Sequence, residues 1–264
     1  LAKSKDIELG GGEIVIPILY EDRSLLAVDK PAGWMLAPDS WDQTGRNLQL
    51  ALQSSLNAGD FWARSRNLKF LRFIHRLDAE TTGILLLAKS PGALRAYSEM
   101  FELQRLEKYY LAVVHGVPKQ SQWTCNLALT PDPSMKGRMK TINPPSSPKS
   151  HVPHSALRTP HSALVKDAET HFRVLQTAKV KALIEAQPLT GRTHQIRAHL
   201  AAAGHPILGD PLYGLDAAAA SKGRQRLALR ACKLAFRDPF QRKWIRIEAP
   251  VTEFIREYGF APDR

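Results

Sequence analysis

His75-Arg76-Leu77-Asp78 places an imidazole, a guanidinium and a carboxylate in four consecutive residues. A carboxylate can attack as a nucleophile or take a proton, an imidazole can carry one, and a guanidinium can hold an anion. Two further stretches carry comparable groups: Lys108-Tyr109-Tyr110, and Thr190-Gly191-Arg192-Thr193-His194-Gln195-Ile196-Arg197. Local pattern leaves plainer readings open for each. Arg76 and Asp78 suit an ordinary ion pair capping a loop. His75 suits a hydrogen-bonded loop histidine, and Tyr110 a core aromatic in a strand.

The surrounding elements must hold these groups. Ile84–Ala88 is an unbroken aliphatic run, which reads as a strand buried on both faces. Gly83 at its entrance suits a tight turn or a close backbone approach. Ser90-Pro91 is a helix start, an N-cap followed by proline, with Leu94, Tyr97 and Phe101 on one face. Leu48, Leu52 and Leu56 have helical spacing within Asn47–Leu56. Lys108–Val114 reads as a strand closed by His115-Gly116. Ile14–Leu19, Leu25–Asp29 and Lys243–Ala249 are shorter strands, and Ala168–Leu175 pairs with Val180–Ala186 as a hairpin. Thr193 can cap a helix whose apolar stripe is Ile196, Leu200 and Ala203. His194 and Arg197, three apart, lie on the other side and can reach into a cleft together. His194 and His199 are five apart and do not share a face, which argues against a zinc site of the kind that needs a spacing of four.

The net charge of the 264 residues is +12, which fits either plain solubility or a polyanionic partner such as nucleic acid. Arg64, Arg66, Lys69 and Arg72 form a basic cluster leading into His75, read as a solvated face or a rim that tracks phosphates. No apolar run reaches the roughly 20 residues that span a membrane. The two cysteines, Cys125 and Cys232, form no metal or redox motif and read as reduced thiols. Residues 131–166 are rich in proline, serine, histidine and lysine. They read as a mobile basic insertion without regular structure. His151, His154 and His161 lie there among prolines, with no cysteine or carboxylate at ligand spacing.

Several of these stretches together resemble the RluA-type RNA pseudouridine synthases. His75-Arg76-Leu77-Asp78, followed by Thr82-Gly83 and the apolar strand, matches the family's HRLDxxTSG with threonine for serine. Asp29-Lys30-Pro31-Ala32-Gly33 matches the first motif, with Ala37 in place of its usual histidine. Lys108-Tyr109-Tyr110 matches KxY. Thr190–Leu200, then Gly204–Asp210 and Tyr213-Gly214, match TGRtHQIRxHl…GhPIlGDxxYG nearly letter for letter. Near the end, Arg230 and Asp238 stand where the family usually has histidines, at positions that read as peripheral.

The resemblance implies an α+β fold, a central mixed, mostly antiparallel sheet flanked by helices, with a basic active-site cleft. It implies a single catalytic domain over residues 1–264. Fewer than twenty residues precede Tyr20, where the stretch that carries the first motif begins, so a separate N-terminal RNA-binding domain is not expected. The implied activity is isomerisation of uridine to pseudouridine in rRNA or tRNA, in the cytoplasm, with no membrane and no obligatory protein partner. That reaction adds no atom and changes no oxidation state, so no cofactor and no metal is expected. Asp78 is implied as the catalytic carboxylate, Arg197 as its ionic partner with Arg192 as the fallback, and Tyr110 as the proton-handling or stacking group. Arg76, His75, Arg192 and His194 are implied in substrate binding, with Arg76 turned toward RNA. Two other readings remain: a catalytically silent RNA-binding protein on the same fold, and a metal hydrolase using His75, Asp78 and His194.

Overall fold

The computed structural model describes residues 3–36, 46–143, 165–215 and 225–262. Ala37, His151, His154, His161 and most of the proline-rich stretch lie outside the described residues. The chain forms two compact units, Leu1–Leu111 with Leu229–Arg264, and Ala112–Ala228.

The first unit is built on β5, Thr82–Ala88. One edge of β5 pairs antiparallel with β3, Leu25–Lys30, over its whole length. Beyond β3 lie β2, Ile14–Glu21, and β1, Asp6–Leu9, also antiparallel. The other edge is shared. β4, Arg72–Phe73, pairs with Leu87 and Ala88, while β12, Leu229–Arg237, runs parallel beside Thr82 and Gly83. β13, Trp244–Glu248, completes a hairpin with β12. This mixed, mostly antiparallel arrangement agrees with the α+β expectation.

β5 reads as an unbroken apolar run because both its faces are covered. Leu85 and Leu87 pack with α1, Leu48–Ala58, and α2, Phe61–Arg64, through Leu48, Leu52 and Trp62. Ile84 and Leu86 pack on the opposite face with Ala93, Tyr97 and Met100 of α3, Pro91–Glu102. Each such side chain contributes roughly 2 kcal/mol on burial, so a loop tied to β5 has a firm anchor. Asn47 and Ser90 cap α1 and α3 by accepting from Leu50 N and Ala93 N. A short helix, α5, Thr252–Glu257, follows β13.

In the second unit β10, Thr170–Ala178, and β11, Lys181–Pro188, form the expected hairpin, with β7, Gln122–Cys125, on the other edge of β10. β8, Ala128–Pro131, pairs with β9, Met139–Ile142. The proline-rich reading of 131–166 is thereby corrected at its start. Proline-free Met139–Ile142 has its backbone groups met by β8, with Tyr213 holding Met139 as well. Helix α4, Gln195–Ala202, follows β11. Strand β6, Leu106–His115, carries the chain from the first unit into the second at Ala112.

Gly83 has φ +104°, and a Cβ there would lie 2.1 Å from the Ala231 carbonyl oxygen. Gly83→Ala must therefore part β5 from β12. It is expected to destabilise by more than about 3 kcal/mol or to prevent folding, as measured by urea unfolding. Gly92→Ala in α3, where nothing lies within 4 Å, is expected to raise stability slightly.

Candidate active site

The chain from β4 to β5 carries His75, Arg76 and Asp78. After β4 ends, Ile74 N still donates to Leu86 O at 3.0 Å. The Leu86 N–H then has no strand beside it, and His75 Nε2 accepts from it at 3.1 Å. The imidazole also stacks on Phe101, with centroids 4.6 Å apart and planes within 13°. Burial, helped by the charge of Lys108, holds the His75 pKa down at about 4. A neutral ring is what the Leu86 contact needs, since a protonated nitrogen cannot accept. Leu77 is buried in the core below, and Arg76 is exposed.

Asp78 sits at the start of a turn in which Thr81 N donates to Asp78 O at 3.1 Å. The turn is fixed from beneath by Lys30, whose side chain is wholly buried. Its ammonium donates to Pro31 O at 3.0 Å, Ala79 O at 2.6 Å and Thr81 O at 3.0 Å. Gly33 N adds a bond to Ala79 O at 2.9 Å. Burial lowers the Lys30 pKa to about 8, opposed by the charges of Glu80 and Asp78. Asp29, one residue earlier, forms a bidentate pair with Arg230 at 3.0 and 2.6 Å, and Arg230 Nε donates to Pro250 O. Arg230 is thus a strut between β3 and β12, which corrects the peripheral reading of that position.

Tyr110 on β6 packs against the same core as Leu77. Burial pushes its phenol pKa up, and the charge of Asp78 adds to that, followed by Cys232. Asp78 and Tyr110 therefore lie close enough to feel each other, and Tyr110 is held as the neutral phenol. Of the basic cluster before His75, Arg64, Lys69 and Arg72 are exposed. Arg66 is not available to a phosphate: its side chain is buried and donates to Glu21, Trp62 O and Ser4 O.

In the second unit, α4 begins differently from its expected form. His194, at φ 55°, occupies the N-cap position without a side-chain cap, and Thr193 does not cap. The Gln195 amide does the work instead, accepting from Arg192 N and Thr190 Oγ1 and donating to Glu169 O and Thr170 Oγ1. Arg197 is 5% exposed and held by Asp210 through two bonds of 2.8 Å, Nε to Oδ2 and Nη2 to Oδ1. Asp210 is fully buried and also accepts from Leu212 N and Tyr213 N. The expected convergence of His194 and Arg197 is on Tyr213. The guanidinium of Arg197 lies 5.2 Å from the Tyr213 ring centroid, and His194 Nδ1 is 3.2 Å from its hydroxyl. That hydroxyl also accepts from Met139 N and donates to Met139 O. Arg192 Nε donates to Asp167 O. His199 bonds Thr170 and Leu127 O, away from His194, and among the described residues no cluster of histidines, cysteines and carboxylates is arranged to hold a metal.

His75, Arg76, Asp78 and Tyr110 thus belong to the first unit, and Arg192, His194 and Arg197 to the second. Lys30, Asp210 and Tyr213 join them as residues that local pattern does not mark. Each lies inside a quoted motif, but which carbonyl or guanidinium it meets is set by tertiary placement.

The His75 environment fixes a pH dependence. Its folded pKa of about 4 lies below the ordinary 6.5, so between those values the unfolded chain takes up a proton that the folded chain does not. This contribution to stability is whole above about pH 6.5 and is lost as pH falls toward 4, by on the order of 2–3 kcal/mol. His75→Gln keeps an acceptor for Leu86 N and removes the titration. Urea unfolding across this range should show a flatter acid limb for the variant.

Comparison with known proteins gives a consistent picture. Residues 24–202 match the family model described as RNA pseudouridylate synthase. The chain is 33% identical over 246 residues to ribosomal large subunit pseudouridine synthase C of Vibrio parahaemolyticus, covering 91% of this chain and 67% of that protein. It is also 33% identical over 244 residues to the Escherichia coli protein of the same name, covering 90% and 67%. Among solved structures, human RNA pseudouridylate synthase domain containing 1 aligns with a TM-score of 0.65 at 26% identity, covering 90% of this chain and 84% of that one. The human domain containing 4 protein shares the fold, with a TM-score of 0.66 at 24% identity. Matched over two thirds of its length by the family model and over nine tenths by these relatives, the chain belongs to the RNA pseudouridylate synthase family and is an isomerase.

Proposed function

We propose that the chain converts uridine in large-subunit ribosomal RNA to pseudouridine in the cytoplasm, as one catalytic domain, with Asp78 as its catalytic carboxylate. The observation that carries the assignment is the Asp78 turn, fixed by the buried Lys30 ammonium and within electrostatic reach of Tyr110, whose phenol is kept neutral by burial. The relatives named for large-subunit pseudouridine synthesis favour ribosomal RNA over tRNA.

The target nucleotide leaves its stack, at a cost of a few kcal/mol, and exposed Arg76 engages the RNA as it does so. The Asp78 carboxylate attacks the ring or the sugar while the bond between ribose and the uracil nitrogen breaks. The ring turns and joins ribose through carbon, and the bond to Asp78 breaks, which returns the free carboxylate. One proton leaves that carbon and one arrives at the freed nitrogen, so the sum is unchanged. A neutral Tyr110 suits proton donation or stacking on the uracil rather than action as a base. Arg197, its guanidinium aligned by Asp210 and Tyr213, is assigned a catalytic role. Arg192 and His194 are assigned to the RNA. His75 acts on the substrate through the loop it braces.

Asp78→Asn is nearly isosteric and keeps the turn, yet lacks the nucleophile. It should bind in vitro transcribed large-subunit rRNA as the wild type does and form no pseudouridine, read by chemical mapping of the RNA. Tyr110→Phe should retain stacking and lose a factor on the order of 10²–10⁴ in kcat if the phenol carries a proton. Pseudouridine formed by Asp78→Asn would end the assignment. A wild type that binds RNA and modifies none would favour a silent RNA-binding protein.

A further inference from the structure

The β12–β13 hairpin has a surface that the isomerase site does not use. Residues 237–246 read Arg-Asp-Pro-Phe-Gln-Arg-Lys-Trp-Ile-Arg. Arg237, Arg242, Lys243 and Arg246 are all exposed, and among the described residues none of the four makes an ion pair. The single acid of the segment is turned inward. Asp238 is 1% exposed, accepts from Phe240 N and Gln241 N, and takes the Tyr97 hydroxyl on its other oxygen. The nearest acid on the outward face of β13 is Glu248, opposite Lys233.

Two aromatic rings stand among these cations. Trp244 is 63% exposed and Phe240 is 54% exposed. Trp244 pairs across the ladder with Arg237, so both point outward from the same face. Phe240 is held edge-on against Tyr97 at 5.8 Å. The turn itself is rigid. Asp238 N donates to Lys243 O, Arg242 N to Asp238 O, and Arg237 Nε to Arg242 O. Arg242 sits at φ 59°, a backbone state in which glycine is at home and a longer side chain is strained.

Exposed indole and phenyl faces interleaved with unpaired cations are the composition of a surface for unstacked bases and their phosphates. We infer that the β12–β13 hairpin is a second RNA-docking surface, taking unpaired nucleotides of the substrate RNA through Trp244 and Phe240 and their phosphates through Arg237, Arg242, Lys243 and Arg246. The inference rests on RNA being the substrate. Along β12, Arg230 pairs with Thr82, near the Asp78 turn. Arg237 lies seven residues further on, roughly 23 Å along the strand. The hairpin thus grips nucleotides away from the reacting one, and its contacts are the same before and during the chemical step. Such contacts lower KM and leave kcat alone.

The test measures binding of a fluorescein-labelled oligouridylate and of transcribed large-subunit rRNA across a series of KCl concentrations, with steady-state kinetics on the rRNA. In the Arg242→Gly, Lys243→Gln, Arg246→Gln triple variant the slope of log affinity against log salt should become shallower by about 2, at about 0.7 per lost single-strand contact. Trp244→Ala should weaken binding about five-fold or more. Both should raise KM with kcat unchanged. Arg242→Gly alone should melt no lower than the wild type, since glycine suits that backbone, while binding RNA more weakly. That result separates docking from damage to the fold. Wild-type affinity and salt slope in the triple variant and in Trp244→Ala would overturn the inference, and would leave the exposed hairpin to an acidic protein partner. A fall in kcat at unchanged KM would overturn it as well. Binding is read without reference to product, so a wild type that makes no pseudouridine would remove the isomerase assignment while the hairpin is still judged by its variants.

Discussion

A buried charge holds the Asp78 turn. An ammonium taken out of water costs several kcal/mol unless its hydrogens are met, and Lys30 meets them with the carbonyls of Pro31, Ala79 and Thr81. Those carbonyls belong to two separate stretches of chain, so the stabilisation exists only when both are in place. The lowered pKa shows that burial still outweighs the favourable pull of Glu80 and Asp78. The charge nonetheless serves the carboxylate above it. Asp78 and Lys30 favour each other, and the turn between them has little freedom to relax.

The second unit solves a similar problem with different chemistry. Arg197 is also a buried cation, but its planar fork is matched by a carboxylate rather than by carbonyls. Asp210 is itself oriented by two backbone amides, and the Tyr213 face covers the guanidinium. Tyr213 further joins α4 to β9 through Met139, so the start of the proline-rich stretch is tied to the arginine helix. A group held this way needs no rearrangement to present its charge, which is the form in which electrostatic assistance is most effective.

Much of this was visible in the chain because the relevant signals are local. The apolar run of β5 announces a strand covered on both faces. Gly83 announces the close approach that Ala231 makes. Asn47 and Ser90 mark helix starts through their side-chain oxygens, and the spacing of His194 and Arg197 puts them on one side of α4. The rest depends on partners distant in sequence. Nothing near Thr193 shows that Gln195 will satisfy the helix start from within. Arg66 looks like its exposed basic neighbours until Glu21, 45 residues away, claims it. Arg230 looks peripheral until Asp29 is found 201 residues away across β5. His75 reads either as a substrate-binding residue or as a hydrogen-bonded loop histidine, and only the fold shows its nitrogen facing an amide left open where β4 stops.

That open amide has a consequence for how the family's loop can vary. β5 changes neighbours halfway along one edge, from β4 to β12, and the chain between them emerges through the resulting fork rather than over the end of the sheet. The fork is bounded on one side by Phe73 facing Leu87 and on the other by Arg230 facing Thr82. A residue inserted or deleted between Ile74 and Thr81 cannot be absorbed as slack. It would move His75 off Leu86 or slide β5 by one position, and a one-residue slide turns every side chain of a strand to the wrong face. Loop length here is therefore gauged by the sheet itself. The loop's exposed positions can change without cost to the sheet, whereas its residue count cannot.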